Sequence, residues 1–588
     1  MKKTFKRLTA SVFSAAIAAS VGMAHIPASY AADDFSVTVN NAANDTATHE
    51  YLAYQIFTGN VSEINGTKQL TEIKWGSGVN STSLLSALKA STKFGSTNPF
   101  ASCTTAAEVA LAVENFSANS AEANAFADIV SANTSETSFN LTNDKLPGGA
   151  YYFIKDTIKT APSSNSQYAY SDHILRAITD IEPDAINAKA SVPSLDKKIG
   201  TDFASGTKTS TASVGDKVPF VLKSSVPDMT SYNDYYFIIN DTLGTGLTFN
   251  DDVAITVGSY TLTKGTDFDV ITSNVAPYTF RIMFKDFYEH LYQNDTPDNH
   301  DDDNQHVGED IIVKYTATLN EQADLTASGN PNKADLTFSN NPNHEYKGGD
   351  KPTSDEETDK DVMGKTPESN TKTFSTGISL KKIDATTKAV LEGAKFQITG
   401  EGVKAVIINN EIFKEDTTGT YYMLKDGTFT ETASTSATAD KYDSTTKKYR
   451  KITSVTKDTA PASESVNQTG YTGSNGIISF LGLKDGTYTI KELEAPDGYN
   501  KLNENITIVI SAALDENAQT CTWTAKKGSD NISYKNNVFT FDVENNKGLT
   551  LPSTGGVGTT LFYVIGGLLV AGALVLLVVK KRMSISEK

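Results

Sequence analysis

Two cysteines in 588 residues, Cys103 and Cys521, are too few and too far apart to form a disulfide framework. If the chain works outside the cell and under load, something other than disulfides must brace it. The sequence also lacks HExxH, GxSxG, CxxC, Walker A and GxGxxG patterns, so no site for turnover catalysis is visible and no cofactor is implied. A basic face is missing too. The formal net charge is −18, and setting aside the basic ends leaves 44 basic and 69 acidic side chains, a net of −25. Such a surface excludes nucleic acid and anionic lipid as natural partners. The acidic stretch NDTPDNHDDDNQHVGED (294–310) lacks the central glycine and closing glutamate of an EF-hand loop. His300 and His306 stand there without other spaced ligands, so no metal is expected.

What is present is enough apolar and aromatic side chain for folded domains, with 25 Tyr and 27 Phe, arranged as short alternating runs between Thr, Ser, Asn and Gly. At this length about three or four units are expected. The pattern predicts a mainly β chain in three domains. The first, 32–190, mixes strands with helices: Thr105 and Glu108 form a capping box ahead of Val109, Val113 and Phe116. A second helix is expected around Glu122 to Val130. The second domain, 191–370, is all-β and ends in a polar, turn-rich segment that reads as a linker or surface loop. The third, 371–548, is again β, with a Ser/Thr-rich loop expected over 431–470. A faint repeat relates LPGGAYYFIKD (146–156) to LKDGTYTIKEL (483–493); aligning Gly149 with Gly486 sets Lys155 opposite Glu492, so the first domain should share the shape and lack the acid.

The ends carry addresses. Residues 1–31 have the basic, apolar and small-residue order of a secretory signal peptide, with cleavage expected near Ala31 or Ala32. Near the other end, an apolar run over 559–579 is long enough to span a bilayer and is followed by Lys580, Lys581 and Arg582. Immediately before it stands LPSTG, Leu551, Pro552, Ser553, Thr554 and Gly555. This order resembles the cell-wall sorting signal of Gram-positive bacteria. The resemblance implies a sortase as partner, whose cysteine attacks the Thr554–Gly555 peptide to give an acyl-enzyme that an amine resolves. The membrane is then met only transiently, through the span.

In the third domain three polar side chains join apolar stripes. Lys382 shares a strand face with Ile378 and Leu380, Glu492 with Tyr488 and Ile490, and Asn545 with Phe539, Phe541 and Val543. Residue types alone leave open an ordinary, partly buried Lys382–Glu492 ion pair with Asn545 as a strand cap, although burial favours the uncharged forms of the lysine and the acid. The segments GISLKKIDATTKAVLEGAKFQI, YTIKELEAPDGY and FDVENNKG resemble the Lys, Glu and Asn segments of CnaB-type domains of Gram-positive pilins and adhesins. That resemblance implies a spontaneous Lys382–Asn545 isopeptide bond with Glu492 as its catalytic acid. The second domain is similar to the middle domain of pilus backbone subunits, which implies a second bond, Lys197 to Asn332, with Asp241 as the acid. Lys198 adjoins Lys197, Asn340 has the parity of Asn332, and both faces of DYYFIIND are apolar, so the alternatives stand. The family also places a polymerising lysine ahead of the middle domain; here the place reads DAINAKASVPSLDKK and gives Lys189, without the Tyr-Pro and Asn that usually flank it.

The whole resemblance is to a sortase-assembled pilus shaft subunit whose partners are other copies of itself, ancillary pilins and peptidoglycan. Its implied fold is a row of tandem Ig-like β-sandwiches, and its implied role is structural, not enzymatic. A monomeric wall-anchored adhesin or minor pilin is the alternative, and a wall-anchored enzyme with an unseen site is a third class.

Overall fold

A computed structural model describes residues 33–64, 67–163, 165–179, 183, 185–293, 306–347, 349–400, 405–415, 417–423, 429–431, 448–459, 468–548 and 557–583. Period-two alternation dominates it, and the chain is mainly β as expected.

In the first domain the long strand Thr48–Ile64 pairs on one side with Thr67–Trp75 and on the other with Ala150–Thr160, which in turn pairs with Ile174–Ile178. Three helices, Ser81–Ala90, Ala106–Glu114 and Ala121–Ser131, cover one face of this sheet around Leu84, Phe100, Val109 and Phe126. The capping box forms as read: the Thr105 hydroxyl accepts from Glu108 N, and the Glu108 carboxylate accepts from Thr105 N. The helix Ser81–Ala90 was not foreseen. On the other face Phe35, Val37, Tyr152 and Ile154 form a separate core.

The middle domain is a two-sheet sandwich. Asp196–Ile199, Lys217–Ser225, Asp310–Leu319, Ala254–Val257 and Tyr260–Leu262 make one sheet. Thr209–Thr211, Ser369–Phe374, Asn330–Ser339, Phe237–Leu243, Phe280–Phe284 and Phe268–Ile271 make the other. The segment read as a linker or surface loop contributes strands to this domain. Met363–Lys365 and Ser369–Phe374 both pair with Asn330–Ser339, and Thr209–Thr211 pairs with the latter in parallel. The chain therefore passes to the last domain near Ser375, not at residue 370.

In the last sandwich the opening strand Thr376–Asp384 lies between Ile477–Leu483 and, in parallel, the closing strand Val538–Asn545. The facing sheet contains Lys395–Gly400, Gly486–Glu494, Ile506–Asp515 and Thr520–Lys527. The stretch read as one loop over 431–470 holds the strand Tyr449–Thr459, paired along Ala405–Glu415, and the start of Gln468–Tyr471. Beyond the sandwich, Val557–Met583 is one helix whose stretch Leu561–Met583 holds a window of mean hydropathy 2.7, none of it buried among the described residues. Its length and composition suit a bilayer span, and its last turn carries Lys580, Lys581 and Arg582.

Candidate functional site

In the last domain the parallel pairing of opening and closing strands sets Lys382 opposite Val543 and Asp384 opposite Asn545. Side chains that alternate along these strands therefore bring Lys382 and Asn545 to the same inner face. The Lys382 Nζ donates to Asn545 Oδ1 at 2.6 Å and to the Val543 carbonyl at 3.0 Å. Glu492 enters from the opposite sheet. Its Oε1 accepts from Asn545 Nδ2 at 2.9 Å and lies 3.8 Å from Lys382 Nζ, while its Oε2 accepts from Leu502 N at 2.7 Å. All three side chains are buried. Burial pulls the Lys382 amine down to about 8, against the opposing pull of Glu492.

The middle domain reaches the same trio by another route. Here the acid and the amide share a sheet, Asp241 on Phe237–Leu243 and Asn332 on the adjacent Asn330–Ser339, while Lys197 comes from the sheet opposite. Its Nζ donates to Asp241 Oδ1 at 2.8 Å, to Oδ2 at 2.7 Å, and to Asn332 Oδ1. None of the three has measurable exposure. The rings of Phe220 and Tyr315 stand 5.3 Å from the amine and wall it off from water. Burial lowers the Lys197 amine to about 8 and raises the Asp241 carboxyl. The neighbouring alternatives lie elsewhere. Lys198 Nζ donates to the Phe203 carbonyl, and Asn340 Nδ2 to the Lys360 carbonyl.

Sequence reading missed Tyr315, whose hydroxyl bridges Asp241 Oδ2 and Asn332 Nδ2, each at 2.8 Å. The alternation Ile311, Val313, Tyr315, Ala317, Leu319 marks it as inward, which was the available signal.

The first domain holds a buried acid after all. Lys155 is exposed, whereas Asp156 is buried with Tyr152 and Ile154, so the repeat aligns one residue later than the glycines suggested. Both inward tyrosines bond back to the preceding turn, the Tyr152 hydroxyl to Pro147 O and the Tyr488 hydroxyl to Lys484 O, each at 2.8 Å, but over five residues in the first domain and four in the last, so one extra residue there accounts for the offset. Asp156 faces a histidine instead of a lysine. His49 Nδ1 lies 2.9 Å from Asp156 and its Nε2 3.1 Å from Asp45.

Lys189 follows the short strand Ile186–Asn187, which pairs in parallel with Val39–Asn40. Its backbone N donates to the Ser171 hydroxyl, and its amine donates to the His173 carbonyl at 3.1 Å and lies 3.6 Å from Asp172 Oδ2. The side chain is 30% exposed. The signal peptide, 1–31, and the sorting residues Leu551 to Gly555 lie outside the described residues. So does most of the acidic stretch set aside as a metal site.

Comparison with known proteins adds the following. Residues 376–527 match the SpaA family, a prealbumin-like fold domain, and residues 543–584 match the LPXTG cell wall anchor motif. The chain is 23% identical over 419 residues to the trypsin-resistant surface T6 protein of Streptococcus pyogenes serotype M6, covering 67% of this chain and 70% of that one. Among solved structures, the T6 backbone pilin of the same serotype is 16% identical, with 87% of this chain and 98% of that one covered and a TM-score of 0.45. BcpA, the major pilin subunit of Bacillus cereus, is 14% identical, with 88% and 99% covered and a TM-score of 0.36. The chain thus carries a SpaA-type prealbumin-like domain followed by an LPXTG cell wall anchor motif, the arrangement of a surface protein attached to the cell wall.

Proposed function

We propose that this protein is the repeating shaft subunit of a covalent pilus, braced inside by two self-made Lys–Asn bonds and joined end to end through Thr554 and Lys189. The observation that carries the reading is the pair of buried lysine, acid and asparagine trios in the last two domains, ahead of a wall anchor. Burial leaves each amine near neutrality in its titration, so an unprotonated, nucleophilic fraction exists at ordinary pH. In the last domain Nζ of Lys382 attacks Cγ of Asn545, an N–C bond forms, and the bond to Nδ2 breaks. Glu492 touches both nitrogens' neighbourhood, within 3.8 Å of one and 2.9 Å of the other, so it takes a proton from the amine and returns one to the leaving nitrogen. Ammonia departs. Lys197, Asp241 and Asn332 perform the same chemistry in the middle domain.

For polymerisation, a sortase acyl-enzyme at Thr554 meets Lys189 of the next copy. The side chain is partly exposed and held by residues 171–173, so it is presented at a fixed place between the first and middle domains. The last subunit passes to peptidoglycan, and ancillary pilins join through the same chemistry. Intact-mass measurement of residues 33–550 tests the bracing: two ammonia molecules should be missing, and the unmodified mass would falsify it. Wall extracts test the assembly. High-molecular-weight ladders should form from the parent and vanish on Lys189→Arg; ladders that persist in the variant would overturn Lys189 as the joining residue, and a parent without ladders would return the chain to the class of monomeric adhesins.

A further inference from the structure

In the last domain the acid touches the leaving nitrogen directly, Glu492 Oε1 to Asn545 Nδ2 at 2.9 Å. In the middle domain the acid is one methylene shorter, and both its oxygens are engaged by Lys197. No hydrogen bond joins Asp241 to Asn332 among the described residues; the gap is filled by the Tyr315 hydroxyl, 2.8 Å from each. Tyr315 is buried to 2% exposure and cannot exchange protons with bulk water. Its ring stacks on Phe220 and meets Phe249 and Phe280 edge-on, which fixes where the hydroxyl points.

We propose that Tyr315 is a catalytic residue of the middle-domain cross-link, passing a proton from Asp241 to the departing amide nitrogen of Asn332. This rests on the Lys197–Asn332 bond proposed above. The step balances as follows. Lys197 first gives a proton to Asp241, and the neutral amine adds to Cγ of Asn332. As that carbon becomes tetrahedral, Nδ2 loses its conjugation and gains a lone pair. A hydroxyl both donates and accepts, so one turn of its O–H reverses the two bonds seen in the structure. Asp241 then donates to the phenol oxygen while the phenol donates to Nδ2, and the C–N bond breaks. The attacking nitrogen sheds two protons in all; one leaves on ammonia and the other remains on Asp241. The phenol ends unchanged. Burial holds Tyr315 far above the ordinary tyrosine range, which suits a relay that never lingers as phenolate.

The test is the mass of the mature chain, sampled at intervals after a pulse of synthesis, with the cross-linked peptides mapped by proteolysis. In Tyr315→Phe the last domain should link at the parent rate while the Lys197–Asn332 peptide forms on the order of a hundredfold more slowly, the range a lost general acid costs. A variant that loses both ammonias as fast as the parent overturns the proposal. A parent that never forms the middle bond instead refutes the reading beneath it, so the two failures are distinct. If Tyr315→Phe does not fold, the double variant Asp241→Glu, Tyr315→Phe carries the test. Its longer acid reaches the amide nitrogen as Glu492 does, so it should link; a folded but unlinked double variant overturns the relay.

Discussion

Replacing Glu492 by glutamine removes the group proposed to move protons in the last domain while keeping an acceptor for Leu502 N. The bond between Lys382 and Asn545 should then fail to form, and the chain should weigh one ammonia more than the parent. The stability consequence follows from the span of the closed loop, 163 residues. By the loop-closure relation used for covalent cross-links, losing such a constraint costs about 5 kcal/mol at 25 °C. For a domain of this size that lowers the melting temperature by about 10–20 °C. Glu492→Gln also strands a buried amine without its carboxylate, so its loss should exceed that of Lys382→Met, which removes the bond and the charge together. Calorimetry on residues 33–550, paired with intact mass, reads both effects. Two outcomes refute the reasoning: a Glu492→Gln chain that still sheds the ammonia, or two unlinked variants that melt within about 3 °C of the parent, which would show that the cross-link adds far less than its loop predicts.

Other perturbations bear on the remaining parts. In Asn332→Ala the Lys197 amine stays free and buried, titrating at about 8 when folded against an ordinary 10.5. The unfolded chain then binds more protons across that interval, so stability should rise with pH between the two values, a slope absent from the cross-linked parent. In the first domain burial opposes charge on His49, but hydrogen bonds that the ring donates to Asp156 and then Asp45 outweigh it and raise the imidazole from 6.5 to about 9. Its contribution is therefore full below pH 6.5 and lost as pH climbs through about 9, so thermal melts across that range should show the first domain weakening; His49→Gln should be less stable and flat there. At the joint between the middle and last domains, Gly482 has φ +81° and an added Cβ would meet the Val214 side chain at 2.3 Å. Gly482→Ala should thus disturb the Val214 N to Gly482 O bond and loosen the joint by about 1–3 kcal/mol, seen as faster proteolysis between the two domains.

The last domain's trio was readable because strand parity alone decides which side chains face inward, and Lys382, Glu492 and Asn545 each interrupt an apolar stripe. The middle domain was less legible because Phe237–Leu243 is buried on both faces. Asp241 faces Lys197, while on the reverse side Asn240 donates to Asp335 and Thr337 and accepts from Arg281. Tyr315 was invisible as chemistry, since an inward tyrosine in an alternating strand is indistinguishable from a packing aromatic until its hydroxyl is placed. The offset that hid Asp156 arises where strand Ala150–Thr160 is covered on both sides, with Phe153 under the helices and Tyr152 and Ile154 in the opposite core, so apolar alternation gives no parity to read. Residues 341–370 looked like a linker because local composition is polar; their place in the fold depends on pairing with Asn330–Ser339, a contact no local pattern encodes. Yet the segment also joins domains. Ser166 and Lys365 exchange backbone bonds, and the Tyr168 hydroxyl donates to Lys360 O.

The positions of the two proposed bonds suit a subunit that bears tension. Tension on the last domain enters at its opening strand, Thr376–Asp384, and leaves by its closing strand, Val538–Asn545, which runs parallel beside it. Without a cross-link, pulling slides these neighbours past one another, and the ladder between them must bear the load as a set of individually weak hydrogen bonds. A bond from Lys382 to Asn545 carries the force across at the far end of that ladder, so the chain between the two residues is relieved of it. The middle domain follows the same rule with different geometry. Force entering at Asp196–Ile199 would cross the sandwich from Lys197 to Asn332 and continue along Asn330–Ser339 toward Ser369–Phe374, which leads directly into Thr376. If both proposed bonds form, they and the chain from Asn332 to Lys382 make one covalent line through both domains. The sandwiches hang from that line, and their burial serves to make each bond form and to keep water from it afterwards.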